Sequence, residues 1–516
     1  MFIEKLENKL KSEKKLTENG GVGYATSGNK LVDANFKASS MRGMTPDQVV
    51  NQFIGAFYED KELAVKWLFF LRDVRGGMGE RRSFRICSNW LADAYPEAFS
   101  KLLELIPYFG RWDDLIYLLE CPHPSIIHTT VLNIIVRQIN KDNANMLKGE
   151  PISLLSKWMP SMGASSQKTL KLAREIRDAL RITNAQYRKF LHALRKYSNV
   201  IEVYMSEGRW DEIDFSCVPS RANLRYSNAF KNHCRDRYAQ FLEDVMNGEQ
   251  KMNSGVLFPH DIVSRYIEEG HYGYMRTASA TLQPDLEAMW KSLPRPETLK
   301  STLVVSDGSG SMCAPIPGTN AHAFDVAEAM AIYFSETCLG EFKDKYITFS
   351  DRPQLVDFSG ADSLHAKLNI MHSHTEVAST NIEGVFDLLL DTALENDMSC
   401  DEMPETILII SDMEFNMATC NSWGCRKFRE PSRALFDEIS MRWEQNGYRL
   451  PRLVFWNVCS RTNVFPMQNN DCGVALLSGF SPNIVDMVVS SRLDPYEVLV
   501  ERLLSERYKD VKFEVE

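Results

Sequence analysis

No stretch of this 516-residue chain approaches the roughly 20 consecutive apolar residues of a membrane-spanning helix, so no membrane role is expected. The opening residues, MFIEKLENKLKSEKKL, have neither an apolar core nor a cleavage site, and no secretory leader is expected. Cysteine is present but unorganised. Eleven residues, an odd number at irregular spacings, give no disulfide framework and suit free thiols in a reducing cytoplasm. Cys420 and Cys425 have no second pair to complete a zinc ribbon, and His372 and His374 have no third ligand at a metal-binding spacing. Catalytic signatures are equally scarce. The glycine-rich run from Arg75 to Arg82 lacks the G-K-[ST] ending of a phosphate loop and follows a helical pattern rather than a strand. Ser309 is not in a G-x-S-x-G elbow, and no Ser-His-Asp order stands out. The expectation is a protein that binds rather than an enzyme.

What is there is a chain that is 44% hydrophobic, enough to bury the cores of two or three domains. Its net charge of −10 is unevenly spread. From Lys300 onward there are 18 basic and 33 acidic residues, against 41 and 36 in the remainder, and residues 166–240 hold 15 basic and 8 acidic side chains. A basic module can meet polyanions that an acidic one repels, although two differently charged solvated surfaces would show the same asymmetry.

Residues 45–293 read as helix after helix. MTPDQVVNQFIGAFYED offers Thr45 as N-cap and Pro46 at the first helical position. KELAVKWLFFLRDV, ERRSFRICSNWLADA, PEAFSKLLELIPYFG, WDDLIYLLE and HTTVLNIIVRQINKD follow with apolar residues at helical spacing. Gly110-Arg111-Trp112-Asp113 recurs as Gly208-Arg209-Trp210-Asp211, each placed to open a helical segment, as in a HEAT-like α-solenoid. Around Pro294 and Pro296 the pattern changes to α/β alternation. TLVVSD, DKYITFSD, PQLVDF, TILIISD, LPRLVFWNV and GVALLSGF read as strands of a mostly parallel, Rossmann-like sheet, with helices between them. The expected organisation is thus an extension over 1–44, a helical-repeat domain over 45–293 and an α/β domain over 294–516.

Ligands of such sheets sit beyond the carboxyl ends of the strands. Asp307, Ser309 and Ser311 follow the first strand as D-x-S-x-S, Thr380 precedes a helix, and Asp412 ends the TILIISD strand. Two carboxylates and three hydroxyls are hard-oxygen ligands suited to Mg²⁺ or Mn²⁺. With so little ligand charge the ion would stay electrophilic and accept an acidic side chain from a protein partner. This five-part set resembles the metal-ion-dependent adhesion site of the von Willebrand factor A (vWA) domain. Helices followed by such a domain resemble the TROVE/Ro autoantigen family, whose helical ring binds RNA. RDVRGGMGERRSFR (72–85), LFPHDIV (257–263), ISDMEF and SGFSPNIV look more specifically like a widespread uncharacterised family with this arrangement, over nearly the whole chain. The resemblance implies a TROVE-like helical domain, a vWA domain and RNA binding, without transferring particular RNA ligands.

Two segments are candidates for contacting single-stranded or structured RNA. Arg75, Arg81, Arg82 and Arg85 flank a helix start where a backbone phosphate could sit, or else pair with local carboxylates across an inter-helix turn. Arg221, Arg225, Lys231 and Arg235 interleave with Tyr226, Phe230 and Tyr238, the mixture that suits phosphates and stacked bases, or else an amphipathic helix with buried rings. An adaptor or assembly scaffold without nucleic acid is the alternative reading.

Overall fold

Six apolar runs of the C-terminal half form one sheet in the computed structural model, which describes residues 14–198, 200–269, 276–295, 299–349, 352–374, 381–416, 435–467, 473–490, 492 and 494–515. In chain order the strands are β1 (Lys14–Leu16) and β2 (Val22–Tyr24), an antiparallel pair, and β3 (Ile267–Glu269) and β4 (Arg276–Ala278), another. The main sheet comprises β5 (Thr302–Asp307), β6 (Lys345–Phe349), β7 (Gln354–Asp357), β8 (Thr406–Ser411), β9 (Arg452–Asn457) and β10 (Val474–Ser478). Their order is β10-β9-β8-β5-β6-β7, parallel throughout except for β7, which runs antiparallel to β6 at the edge.

The strands are apolar because both faces are covered. Leu303, Val305, Ile407, Ile409, Leu453 and Phe455 pack with Val385, Phe386, Phe436 and Trp443 of the helices Glu383–Glu395 and Leu435–Gln445. On the other face lies the helix Ala323–Ser335, all thirteen of whose residues are buried, with Phe334 against Trp456 at 5.2 Å between ring centroids. A helix apolar on every side needs a second cover. The helix Pro259–Tyr266 supplies it.

The described residues fall into two compact units, Met1–Leu63 with Leu257–Ser505, and Ala64–Val256 with Glu506–Glu516. These bounds differ from those expected at residues 45 and 294, because tertiary packing recruits segments that look alike in composition. The helix Lys30–Phe36 packs on β10, and the helix Pro46–Glu59 packs on it in turn. The chain end returns to the helices: Arg507 Nη2 and Tyr508 Oη donate to Asp73 at 2.7 and 2.9 Å, and Tyr508 stacks on Phe109 at 5.4 Å. So divided, the helical unit holds 31 basic and 25 acidic residues and the sheet unit 28 and 44.

Thr45 caps its helix through a capping box with Gln48, as its position before Pro46 predicts. PEAFSKLLELIPYFG is not one helix. It breaks into Pro96–Ser100, a 3-10 turn Leu103–Leu105 and Ile106–Phe109, since Pro107 has no N–H to continue an earlier turn. HTTVLNIIVRQINKD lies within a 24-residue helix, Ser125–Lys148, ended by Gly149 in the left-handed conformation. The helix Leu364–Ser373, capped by Ser363, follows β7 in a stretch without strong periodicity. The motif echo is local only: Trp112 opens the helix Trp112–Tyr117, whereas Trp210 opens a single 3-10 turn, Trp210–Glu212. The expectation that both copies open a helical segment of the same kind is corrected there.

Candidate metal centre

The chain winds from β5 outward to β6 and β7, then crosses to β8 and continues to β9 and β10. The reversal point lies between β5 and β8, where an open α/β sheet has its crevice. Asp307 is the last residue of β5 and Asp412 the first after β8, so the topology sets two carboxylates at that point. Asp307 Oδ1 accepts from the backbone N–H of Ser309 (2.9 Å), and Oδ2 accepts from Ser411 Oγ (2.6 Å). The Ser309 and Ser311 hydroxyls are 2.9 Å apart, within the loop that runs into the turn Gly310–Cys313. Gly308 N donates to Phe349 O and fixes that loop to β6. After Asp412 the chain turns sharply at Met413 (φ 63°), an uncommon conformation for a residue with a Cβ, which brings Glu414 N to Asp412 Oδ1 at 3.2 Å.

Both carboxylates are 1% exposed. Burial pushes Asp307 up to about 6, against the pull of its Ser309 and Ser411 hydrogen bonds. Burial, then the nearby charges of Asp307 and Glu414, push Asp412 up to about 8. Among the described residues Asp307 has no ion pair, and Asp412 meets Arg461 at 3.4 Å while the same guanidinium meets Glu18 at 2.7 Å. Two buried acids and two hydroxyls, short of positive charge, fit a small divalent cation. Thr380 lies outside the described residues, as do Cys420 and Cys425. Among the described residues no group of three or more His, Cys, Asp or Glu side chains converges, here or at any other place, so the set at this site is two acids with hydroxyls. His372 donates toward Glu328 (3.0 Å) and accepts from Ala278 N (2.9 Å), which makes it a structural side chain.

Sequence reasoning missed four residues here: Ser411, Glu414, Arg461 and Glu18. Glu414 is fully buried, and its Oε1 accepts from Ser460 Oγ and from the N–H groups of Arg461 and Thr462, at 3.1, 2.8 and 2.8 Å. Its Oε2 accepts from Glu18 N at 2.9 Å. It ties the loop after β9 and the β1–β2 turn to the end of β8. The one available signal was a second acid two residues after Asp412 in SDMEF.

The basic candidates sort into two groups. Arg85 is committed inside the protein, through Nη2 to Asp113 at 2.9 Å and Nε to Asp114 at 2.8 Å. Arg81 meets Asp113 at 3.4 Å, and Arg75 Nη1 donates to Tyr108 O at 3.3 Å. Arg82 is exposed on the first turn of the helix Arg81–Ala94. Arg85 thus shows the internal pairing that the sequence left open beside phosphate contact, because Asp113 and Asp114 stand opposite it. The second group is outward-facing. Arg221, Arg225 and Lys231 lie on the helix Ser220–His233, Arg235 starts the helix Arg235–Asn247, and Arg221, Arg225 and Arg235 are exposed. Phe230 and Tyr238 belong to the core, whereas Tyr226 is half-buried with its hydroxyl 3.3 Å from Glu202.

Residues 17–121 and 164–295 match the domain of unknown function DUF2828, and residues 301–510 match the domain of unknown function DUF7788. The chain is similar to an uncharacterised protein of Acanthamoeba polyphaga mimivirus, 28% identical over 526 residues that span 94% of this chain and 86% of that one. Among solved structures it is similar to the Deinococcus radiodurans RO (RSR) protein, with a TM-score of 0.46 and 14% identity, covering 89% of this chain and 94% of that one.

Proposed function

We propose that this is a non-catalytic binding protein whose sheet unit is a vWA-like domain that docks an acidic side chain of a protein partner through a divalent cation. The observation that carries the reading is the pair Asp307 and Asp412, buried side by side at the sheet's reversal point without enough positive charge to neutralise them. Asp307, Ser309, Ser311 and Asp412 would hold Mg²⁺ or Mn²⁺, with Thr380 as the fifth candidate ligand. Bound there, the ion would act as a Lewis acid with a position open to an incoming carboxylate. Asp307 is oriented for this by Ser411 and by the Ser309 N–H. The exposed arginines of residues 221–235, on a unit with an excess of basic residues, support RNA as a second ligand. The engagement of Arg75, Arg81 and Arg85 by protein groups favours the other reading, a protein scaffold without nucleic acid.

Mg²⁺ or Mn²⁺ should raise the melting temperature of the full chain, since a ligand bound only by the native state stabilises it by about 2.7 kcal/mol at a hundredfold excess over Kd. Asp307→Ala should abolish the rise. An equal response in wild type and variant removes the metal assignment.

A further inference from the structure

The two Gly-Arg-Trp-Asp motifs place their arginines in opposite circumstances. Arg209 is neutralised by Glu207 (2.7 Å) and Glu212 (2.8 Å) and lies over the Tyr204 ring at 4.5 Å. Arg111 has no ion pair among the described residues. Its half-buried guanidinium lies over the Trp158 ring, 5.4 Å from the centroid. The charges of Arg72, Arg221 and Arg81 act on it, as does the carboxylate of Asp113. Asp113 already serves Arg85 at 2.9 Å and Arg81 at 3.4 Å. Asp114, which accepts from the backbone N–H of Arg111 at 3.1 Å, is taken by Arg72 (2.6 Å) and Arg85 (2.8 Å).

A guanidinium partly withdrawn from water among other guanidiniums is costly unless an anion joins it. Of the carboxylates near it, Asp114 is taken by Arg72 and Arg85, and one oxygen of Asp113 by Arg85 and Arg81. The Trp158 ring covers one side of the guanidinium, whose planar N–H fork is the geometry in which arginine holds phosphate at two points. The geometry points to a phosphate-binding niche built from Arg111 on Trp158, with Arg81 and Arg221 at its margin, that takes a phosphate oxyanion, free or within a nucleic-acid backbone. The niche stands independently of the RNA reading above. It has one internal competitor, the Oδ1 of Asp113, which is buried without a hydrogen-bond partner. If Arg111 turns onto that oxygen in solution, its role is structural.

The test uses the full chain as wild type, Arg111→Gln and, as the motif-matched control, Arg209→Gln. Thermal melts compare sodium phosphate with sodium chloride at equal ionic strength, and anisotropy follows a fluorescein-labelled oligouridylate. Phosphate should raise the melting temperature of wild type and Arg209→Gln, and Arg111→Gln should weaken the phosphate response about tenfold, as expected for one charge-assisted two-point contact. Arg111→Lys, which keeps the charge and loses the planar edge, should fall between them and serves if the glutamine variant does not fold. A matching loss for oligouridylate identifies a backbone phosphate, and a loss confined to inorganic phosphate identifies a free one. Absence of oligouridylate binding in wild type counts against the RNA reading and leaves the niche standing. An unchanged phosphate response in Arg111→Gln and Arg111→Lys overturns the niche, and a lowered melting temperature with that unchanged response assigns Arg111 to Asp113.

Discussion

Each unit buries a cluster of charge, and the two clusters are closed on different terms. In the helical unit Arg72 is 1% exposed and Asp114 2%, and the pair is completed by Arg85, so each charge has a partner inside the protein. In the sheet unit Asp307 and Asp412 are as deeply buried, but their neighbours are mostly hydroxyls, N–H groups and each other. Burial alone therefore does not mark a functional charge. What separates the clusters is whether the protein supplies the counter-charge. A satisfied cluster holds the fold together; an unsatisfied one is a demand for something from outside.

The largest loss should follow removal of one partner from the satisfied cluster. Asp114→Asn leaves Arg72 buried without its carboxylate, and loss of one member of a buried pair costs about 3–5 kcal/mol. Urea unfolding should show that loss equally with and without Mg²⁺. A loss under about 1 kcal/mol, within the range of an exposed surface pair, would mean that the pair is not buried in solution.

The unsatisfied cluster should announce itself through pH. Burial holds both carboxyls above their unfolded values, at about 6 for Asp307 and about 8 for Asp412. Between the ordinary carboxylate range and about 8 the folded state therefore binds more protons than the unfolded chain, and stability falls as pH rises. In chelator stability should fall between about pH 5 and pH 8 by more than the roughly 1.4 kcal/mol that a tenfold change in proton affinity between the folded and unfolded chain is worth. Saturating Mg²⁺ should flatten the decline, because the metal binds the ionised acids, and Asp412→Asn should flatten it without metal. Thermal melts at several pH values decide it; stability that rises over this range in chelator would contradict the arrangement.

How much of this was legible in the sequence follows from how local each feature is. Asp307 and Asp412 were found because a strand end is a local pattern and parallel sheets put strand ends together. Thr45 was found because an N-cap followed by proline is a two-residue pattern. The units' bounds were not, since the return of Arg507 and Tyr508 to Asp73 joins residues more than 400 positions apart. Nor were the roles of the two motif glycines. A Cβ on Gly110 would lie 2.7 Å from Asp114 Oδ2 and 3.0 Å from Arg72 Nε, so that glycine is required by close approach. Gly208 faces open space but has a φ of 71°, so there the requirement is backbone conformation. Four identical residues thus stand for two different local structures, and only tertiary partners distinguish them.

The smallest expected effect separates the two groups of arginines. Arg225 is exposed on the helix Ser220–His233, while Arg85 is held by Asp113 and Asp114. If the outward group meets RNA phosphates, Arg225→Gln should leave urea stability unchanged and flatten the log–log salt dependence of oligouridylate binding by about 0.7, the value for one phosphate contact on a single strand. Arg85→Gln should do the reverse: it removes a counter-charge from Asp114 and lowers stability, with the salt slope intact. Tyr226, whose hydroxyl already faces Glu202, offers only part of its ring, so its removal should weaken binding less than the roughly 1–3 kcal/mol of a fully stacked base. Equal salt slopes for wild type and Arg225→Gln, with a flattened slope for Arg85→Gln, would exchange the roles of the two groups.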